Sequence, residues 1–177
     1  MIAESALLTL VPEAEDLIQN FRRQYDPAAA VGIPAHVTIL YPFKPPHRLT
    51  DDVIAGLREL FAQSAGFQVS FGAVGRFPGV LYLAPEPAER FRQLTRQVMR
   101  HFPETPPYGG AHQEIIPHMT IAQHDDSREL DAIASAFDRA TKGRLPLCAS
   151  VQTVVLMENS SGVWRTYETF ALGAPEL

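Results

Sequence analysis

Cysteine is nearly absent from this chain, which contains only Cys148 among its 177 residues. A single thiol forms no disulfide within the chain and no cluster of zinc thiolates, so the composition fits a reducing compartment. We therefore expect a cytoplasmic protein. The sequence has no Gly-x-Ser-x-Gly segment, and Cys148 falls in a predicted helix-to-strand connection without an obvious partner. A serine or cysteine nucleophile is accordingly disfavoured.

Long apolar runs and basic charge are also scarce. No stretch reaches the roughly 18 uninterrupted apolar residues of a membrane span, and the N-terminus lacks the basic start of a secretion signal. The 15 Lys and Arg residues are outnumbered by 20 Asp and Glu residues, which gives a formal net charge of -5. This balance argues against a broad basic surface for long duplex nucleic acid. A short nucleotide or an RNA end remains compatible with it, and we expect a monomer with no membrane partner.

What the chain does have is the patterning of a folded α+β protein. Hydrophobic residues make up 46% of the chain and charged residues 20%. Its length predicts one domain over residues 1–177, with room for two lobes. Helical spacing predicts helices over 13–25 and 88–102 and after caps at Thr50 and Asp126. Alternation predicts single strands over 6–11, 36–40 and 118–122, and two hairpins, 67–71 with 80–83 and 151–157 with 163–172.

One short segment occurs twice. His36-Val37-Thr38-Ile39 and His118-Met119-Thr120-Ile121 lie on two of the single predicted strands, and the two histidines are 82 positions apart. Each copy stands between two predicted helices, which indicates a distant internal duplication. Chance similarity between two apolar strands is the alternative.

The two copies have the residue types for phosphodiester chemistry. Side chains alternate along a strand, so His36 and Thr38 share one face, as do His118 and Thr120. Phosphodiester transfer needs one group to accept a proton and another to donate one, and a pair of histidines suits this because one can be neutral and the other protonated near pH 7. Threonine hydroxyls can donate hydrogen bonds to phosphoryl oxygens. All four residues then have a role without a metal or another cofactor.

These paired motifs resemble those of the 2H phosphoesterase superfamily, especially its bacterial 2'-5' RNA ligase and cyclic phosphodiesterase branch. The resemblance covers nearly the whole chain. It implies a bilobal, pseudo-twofold α+β fold, in which two antiparallel sheets flanked by helices surround a central cleft. It makes His36 and His118 the catalytic acid/base pair and Thr38 and Thr120 the phosphate-binding residues. The implied substrates are 2',3'-cyclic phosphate ends, 2'-5' linked nucleotides or RNA, and ADP-ribose cyclic phosphate, as in RNA processing.

Residues that bind the rest of the substrate are harder to identify. Tyr41 and Phe43 follow the first motif and could stack a base, although a packed corner explains them equally well. Tyr108 lies in a long Pro/Gly loop before the second motif, which could act as a lid or as a plain surface connection. Further candidates, each with a structural alternative, are Lys44, His47 and Arg48 in a basic loop and Arg76 and Tyr82 beside the first hairpin turn.

Two other functions compete with the phosphoesterase hypothesis. His112, His118 and His124 recur every six residues before Asp125 and Asp126, which raises the question of a metal hydrolase. That spacing matches no helical ligand pair and no known zinc signature. A module that binds nucleotides or RNA ends without turning them over is the second alternative.

Overall fold

Two antiparallel sheets form the frame of the molecule. The computed structural model describes residues 3–110 and 114–174, without the side chain of Tyr108. Within these residues, each sheet has four strands. The first sheet contains β1 (Ser5–Leu10), β2 (His36–Leu40), β7 (Thr153–Glu158) and β8 (Arg165–Ala171), in the order β2-β1-β7-β8. The second contains β3 (Phe67–Phe77), β4 (Val80–Glu86), β5 (Met119–Gln123) and β6 (Leu147–Val151), in the order β5-β4-β3-β6.

The helices lie close to the positions that the sequence predicts. The Thr50 hydroxyl accepts a hydrogen bond from the Val53 N–H, and the Asp126 carboxylate accepts one from the Arg128 N–H, so both predicted caps are present. None of the helices in residues 3–110 and 114–174 is long and apolar enough to cross a bilayer. The helices are α1 (Glu15–Tyr25), α2 (Pro27–Ala30), α3 (Asp51–Ala62), α4 (Ala88–His101) and α5 (Ser127–Ala140).

If the first half is taken as β1 to β3 and the second as β4 to β8, each half of the chain contributes to both sheets. The first half places β1 and β2 in the first sheet, but its β3 lies beside β4 in the second sheet. The second half places β4 and β5 in the second sheet, but its β7 lies beside β1 in the first. The helices cross over as well, because α1 packs against β5 and α4 packs against β2. The matched strand orders confirm the predicted pseudo-twofold arrangement of two sheets flanked by helices.

The main hydrophobic core lies between the sheets and their helices. Leu7, Val37 and Ile39 point into it from the first sheet, and Phe91 and Phe137 point into it from α4 and α5. All five side chains are almost fully buried. Burial of a side chain of this size contributes about 1.5–3 kcal/mol to folding. The core therefore fixes one face of each sheet and leaves the other face for the site.

One predicted element differs from the structure. The sequence predicts a single strand over 151–157, whereas the chain forms β6 up to Val151, paired with β3, and then β7 from Thr153, paired with β1. The chain thus passes from one sheet to the other at Gln152. Cys148 lies in β6, paired with Ser70 and exposed, and not in a helix-to-strand connection as predicted.

Candidate active site

The two motif strands, β2 and β5, meet at the junction of the two sheets. Each is an edge strand of its sheet, and the two strands contact each other. In the first sheet, His36 pairs with Leu10 and Thr38 pairs with Leu8, which places both motif side chains on the same face. In the second sheet, Thr120 pairs with Tyr82. The motifs, distant in the sequence, are therefore neighbours in the fold.

His36 is oriented by the backbone just before its own strand. Its Nδ1 lies 2.7 Å from the carbonyl oxygen of Pro34. A carbonyl oxygen only accepts hydrogen bonds, so Nδ1 must carry the proton and donate it. In the neutral ring, Nε2 is then the free acceptor.

His118 has the same arrangement. Its Nδ1 lies 2.8 Å from the carbonyl oxygen of Ile116, again two residues earlier in the chain. Both motif histidines therefore keep Nδ1 occupied and present Nε2 for chemistry. This geometry is what an imidazole needs in order to accept a proton from one reactant oxygen or to donate one to another.

Burial changes the acid strength of both rings. Burial of the side chain is the main reason why the pKa of His36 is lowered to about 4, and the charges of Arg22 and His118 lower it further. The hydrogen bond to Pro34 and the negative charge of Asp26 partly oppose this shift. Burial also lowers the pKa of His118 below its usual value of 6.5, and its hydrogen bond to Ile116 opposes that change. Without a bound anion, both rings are therefore mainly neutral at pH 7.

A small cavity lies between Thr38 of the first motif and His118 of the second. It has a volume of about 30 Å³, and Thr38 and Tyr41 line it from the β2 side while His118 lines it from the other. Thr95 of α4 also reaches it. This volume suits a water molecule but not a nucleoside, so a larger substrate has to lie on the open surface beside it.

Aromatic rings surround His118. Phe77 lies edge-on to the imidazole at 5.0 Å between ring centroids, and Tyr82 does so at 5.5 Å. The two aromatic rings stack on each other at 4.5 Å. This packing depends on Gly75, which pairs with Tyr82, because a Cβ at position 75 would come within 2.3 Å of the Tyr82 ring. Tyr82 therefore does lie beside the site, and Phe77, which the sequence analysis missed, lies there with it.

An apolar surface lies beside His36 and Thr38. Leu8 and Leu10, the strand partners of these two residues, belong to a second hydrophobic cluster separate from the main core. Tyr41 packs against this cluster and meets Trp164 edge-on at 6.1 Å. The same face of the first sheet thus offers polar motif side chains and a partly exposed apolar floor. The full cluster comprises Ala6, Leu8, Leu10, Ile33, Tyr41, Val155, Met157 and Trp164.

Comparison with known proteins identifies the family of this chain. The family model described as the 2'-5' RNA ligase superfamily matches residues 10–162, which is most of the chain. The chain belongs to the 2'-5' RNA ligase superfamily. The 2H phosphoesterase resemblance noted in the sequence is thereby confirmed.

Relatives and solved structures of the superfamily agree over nearly the full length. A Bacillus licheniformis protein provisionally named a phosphoesterase is 28% identical over 169 residues, which cover 90% of this chain and 92% of that protein. A Bacillus pumilus protein of the same name is 27% identical over 168 residues, covering 90% and 91%. Among solved structures, TT0787 of Thermus thermophilus matches with a TM-score of 0.65 at 18% identity, covering 98% of this chain and 100% of that one. Escherichia coli LigT complexed with 3'-AMP matches with a TM-score of 0.61 at 15% identity, covering 96% and 97%.

Within this superfamily fold, some residues suggested by the sequence lie away from the motifs. Phe43 is only 5% exposed, because it packs edge-on against Phe102 in the main core. It is therefore not available to stack a base, and that prediction was wrong. Tyr41 does lie at the site, where its hydroxyl donates to Glu4 at 2.8 Å. Burial and the Glu4 carboxylate raise the pKa of Tyr41 to about 12.

The basic candidates have other partners. Lys44 forms an ion pair with Glu104, and Arg76 forms one with Asp131 of α5. His47 and Arg48 lie in a short 3-10 turn, Pro46–Arg48, and do not line the cavity between the motifs. These residues are therefore not placed at the motif histidines.

Two further suggestions depend on the loop before the second motif. The side chain of Tyr108 and the whole of His112 lie outside the described residues. His124, another member of the six-residue series, accepts a hydrogen bond at Nδ1 from the Asp126 N–H at 3.1 Å. No group of three His, Cys, Asp or Glu side chains with metal-binding geometry occurs in the part of the chain that the structure describes.

Proposed function

We propose that the protein is a metal-independent phosphoesterase that acts on 2',3'-cyclic phosphate ends or 2'-5' phosphodiester bonds of nucleotides or RNA. His36 and His118 would be the general acid and base, and Thr38 and Thr120 would bind the phosphoryl oxygens. One observation carries the proposal. At the start of β2 and just before β5, each motif histidine has its Nδ1 held by a backbone carbonyl, which leaves Nε2 for proton transfer.

The chemistry needs two proton transfers at one phosphorus. In hydrolysis, one neutral Nε2 takes a proton from water while the water oxygen attacks phosphorus. The opposite, protonated Nε2 gives its proton to the ribose oxygen as the P–O bond breaks, so that one water is added and no proton is gained or lost. The threonine hydroxyls donate to the phosphoryl oxygens, on which negative charge develops. In the reverse direction, or with a ribose hydroxyl as nucleophile, the two imidazoles exchange roles.

The surroundings of the motifs support a nucleotide as substrate. The apolar floor near Tyr41 and Trp164 and the rings of Phe77 and Tyr82 offer flat surfaces on both sides of the motifs. Stacking of a base on an aromatic ring contributes roughly 1–3 kcal/mol to binding. Solved structures of E. coli LigT include complexes with 3'-AMP, NADP+ and ATP, each of which has a base that could stack on an aromatic ring.

A substrate panel tests the proposal. The protein is incubated, with a chelator present, with 2',3'-cyclic mononucleotides, 2'-5' linked dinucleotides and ADP-ribose cyclic phosphate, and each product is identified as a 2'- or 3'-phosphate. We expect turnover of at least one class with a single regioisomer as product. The His36→Ala and His118→Ala variants, purified in the same way, control for contaminating enzymes.

A single-turnover experiment with protein in excess separates an enzyme from a binding module. An enzyme converts the bound cyclic nucleotide in one exponential phase. Saturable binding without any product, across the whole panel, would reject catalysis and favour the binding module.

A further inference from the structure

Two arginines hold the backbone in front of the two motif histidines. We propose that Arg22 and Arg92 are positioning residues, which fix the carbonyl groups that orient the imidazoles of His36 and His118. This inference rests on the proposed acid/base function of the two histidines. The segments concerned, residues 33–35 and 115–117, are called the lead-in segments below.

Arg22 acts on the first lead-in segment. It lies on α1, and its Nη2 donates to the carbonyl oxygen of Ile33 at 3.0 Å. Its Nε donates to the Asp26 carboxylate at 2.8 Å, and both side chains are almost fully buried. The other oxygen of Asp26 accepts from the Ala28 N–H at 3.0 Å. The guanidinium is therefore held rigidly on two sides, and Ile33 is held with it.

Arg92 acts on the second lead-in segment in the same manner. It lies on α4, and its Nε donates to the carbonyl oxygen of Ile115 at 3.0 Å. Its Nη1 lies 3.7 Å from Glu89, and the side chain is partly exposed. In both halves, the arginine comes from the helix between the two neighbouring strands β1 and β2 or β4 and β5.

The positions correspond one by one. Each arginine binds the carbonyl three residues before its histidine, and the next carbonyl accepts the imidazole Nδ1–H. At the last position of the lead-in segment, the N–H of Ala35 donates to Glu15 at 2.6 Å. The second copy has Pro117 there, which has no N–H to satisfy.

This correspondence indicates a positioning role in addition to simple packing. A lead-in segment free to rotate about its peptide planes would point the orienting carbonyl away from Nδ1. The imidazole would then exchange between tautomers, and Nε2 would be the acceptor for only part of the time. The arginine prevents this rotation because its guanidinium donates a hydrogen bond to the carbonyl of the residue just before the one that orients the histidine.

The two copies differ in their electrostatics. The charges that influence the pKa of His36 are those of Arg22 on α1, Asp26 at the C-terminal end of α1, and His118. Arg92 is partly exposed, so its replacement leaves no buried charge without a partner. The second copy is therefore the better one in which to test the role without unfolding the protein.

The primary experiment compares Arg92→Met with Arg96→Met. Arg96 lies one turn further along α4 and also pairs with Glu89, so both variants remove one positive charge from the same carboxylate. For Arg92→Met we expect kcat to fall by about 10- to 100-fold with little change in KM, as for a misplaced catalytic group. We expect Arg96→Met to keep the wild-type values of both.

A measurement without turnover distinguishes failure of this inference from failure of the proposed function. Nitrogen-15 NMR of histidine-labelled protein reports the tautomer of His118, with His118→Ala identifying its signals. We expect the Nδ1–H tautomer in the wild type and in Arg96→Met, and a mixture of tautomers in Arg92→Met. A pure Nδ1–H tautomer in Arg92→Met, with unchanged kcat if the substrate panel gives turnover, would overturn the inference.

The first copy is tested with Arg22→Lys and the neighbouring exposed Arg23→Lys as control. Lysine keeps the charge beside Asp26, but its single ammonium cannot reproduce the fork that serves Asp26 and Ile33 together. We expect a tautomer mixture at His36 in Arg22→Lys alone. If Arg22→Lys does not fold, the double variant Arg22→Met/Asp26→Leu removes the buried pair as a unit. A pure Nδ1–H tautomer of His36 in the folded variant would contradict the role of Arg22.

Discussion

At each motif histidine, one ring nitrogen is committed before any substrate binds. The Pro34 and Ile116 carbonyls accept hydrogen bonds from the Nδ1–H groups, so Nε2 is the nitrogen left free in both rings. The nearest contact that orients each ring is therefore a hydrogen bond to the backbone two residues earlier in the chain. The effect on kcat of replacing these side chains can be predicted from this arrangement.

Replacement of either histidine should abolish most of the activity. We expect His36→Ala and His118→Ala each to lower kcat by about 10²- to 10⁴-fold, because a general acid or base is lost. Thr38→Val and Thr120→Val, which remove only a hydroxyl, should each cost about 10-fold, the value of one hydrogen bond to a charged oxygen. Steady-state kinetics on the best substrate of the panel measures all four. Histidine variants that keep wild-type rates would exclude the proposed mechanism.

The lowered pKa values predict an acidic optimum for kcat/KM. Catalysis needs one neutral and one protonated ring, and in the free protein the pKa of each ring lies below 6.5. The protonated partner is therefore lost as the pH rises through these lowered pKa values, and kcat/KM should form a bell with its maximum below pH 6.5. A bound phosphate anion favours the imidazolium, so the maximum of kcat should lie at higher pH. Profiles of both parameters between pH 4 and 9 measure this difference, and a flat response from pH 5 to 8 would argue against the histidine pair.

At the scale of elements, β2 depends on α4 for its position. The Thr95 hydroxyl of α4 donates to the carbonyl oxygen of Ile39 at 2.8 Å in a buried environment. An edge strand has free carbonyls on one side, and this hydrogen bond satisfies one of them. The helix of the second half thus supports the motif strand of the first.

Loss of this contact should destabilise the protein. Thr95→Val keeps the shape but leaves the Ile39 carbonyl without its partner, so we expect the free energy of unfolding to fall by about 1–3 kcal/mol. Thr141→Val is the matched control, because the buried Thr141 hydroxyl donates only to Phe137 of its own helix, whose carbonyl also binds the Thr141 N–H. Urea denaturation measures both. Equal losses in the two variants would show that the contact between α4 and β2 has no special weight.

Much of the secondary structure could be predicted from periodicity and caps, but the pairing of strands that are distant in the sequence could not. The helix caps at Thr50 and Asp126 and the hairpin turn just before Val80 are local features, and the structure contains all three. The split between β6 and β7 at Gln152 is not local, because it depends on which distant strand each part pairs with.

The same limit explains the errors at the site. The two His-x-Thr motifs were visible because they repeat, whereas the burial of Phe43 depends on contact with Phe102, which is 59 positions away and follows the end of α4. Arg22 did carry a signal in the sequence. It lies on the apolar side of α1, four residues after the buried Ile18, where an arginine is unusual and needs a buried partner.

At the scale of the whole molecule, the exchange of β3 and β7 links the two sheets. Neither half of the chain contains all the strands of one sheet. The halves therefore stabilise each other, because unfolding of either half removes strands from both sheets.

The two sheets should consequently unfold together. The chain has one tryptophan and one cysteine, and these lie at different sheets, with Trp164 packed against the first and the exposed Cys148 in the second. We expect Trp164 fluorescence and a fluorophore on Cys148 to report the same midpoint in urea. Circular dichroism of labelled and unlabelled protein controls for effects of the label. Two separated midpoints would show that the lobes fold independently.

The exchanged strands also bear on the origin of the site. If the two halves descend from one shorter chain, a single copy of that chain had no partner for its third strand and no helix to cover its motif strand. Two copies that exchanged their third strands and packed their helices across each other would supply the missing strand partner and the missing helix. Each copy would also contribute one histidine to a common site. Such a pair would be a symmetric dimer with identical histidines at that site, whereas a single chain allows the two imidazoles to have different surroundings, as His36 and His118 do here.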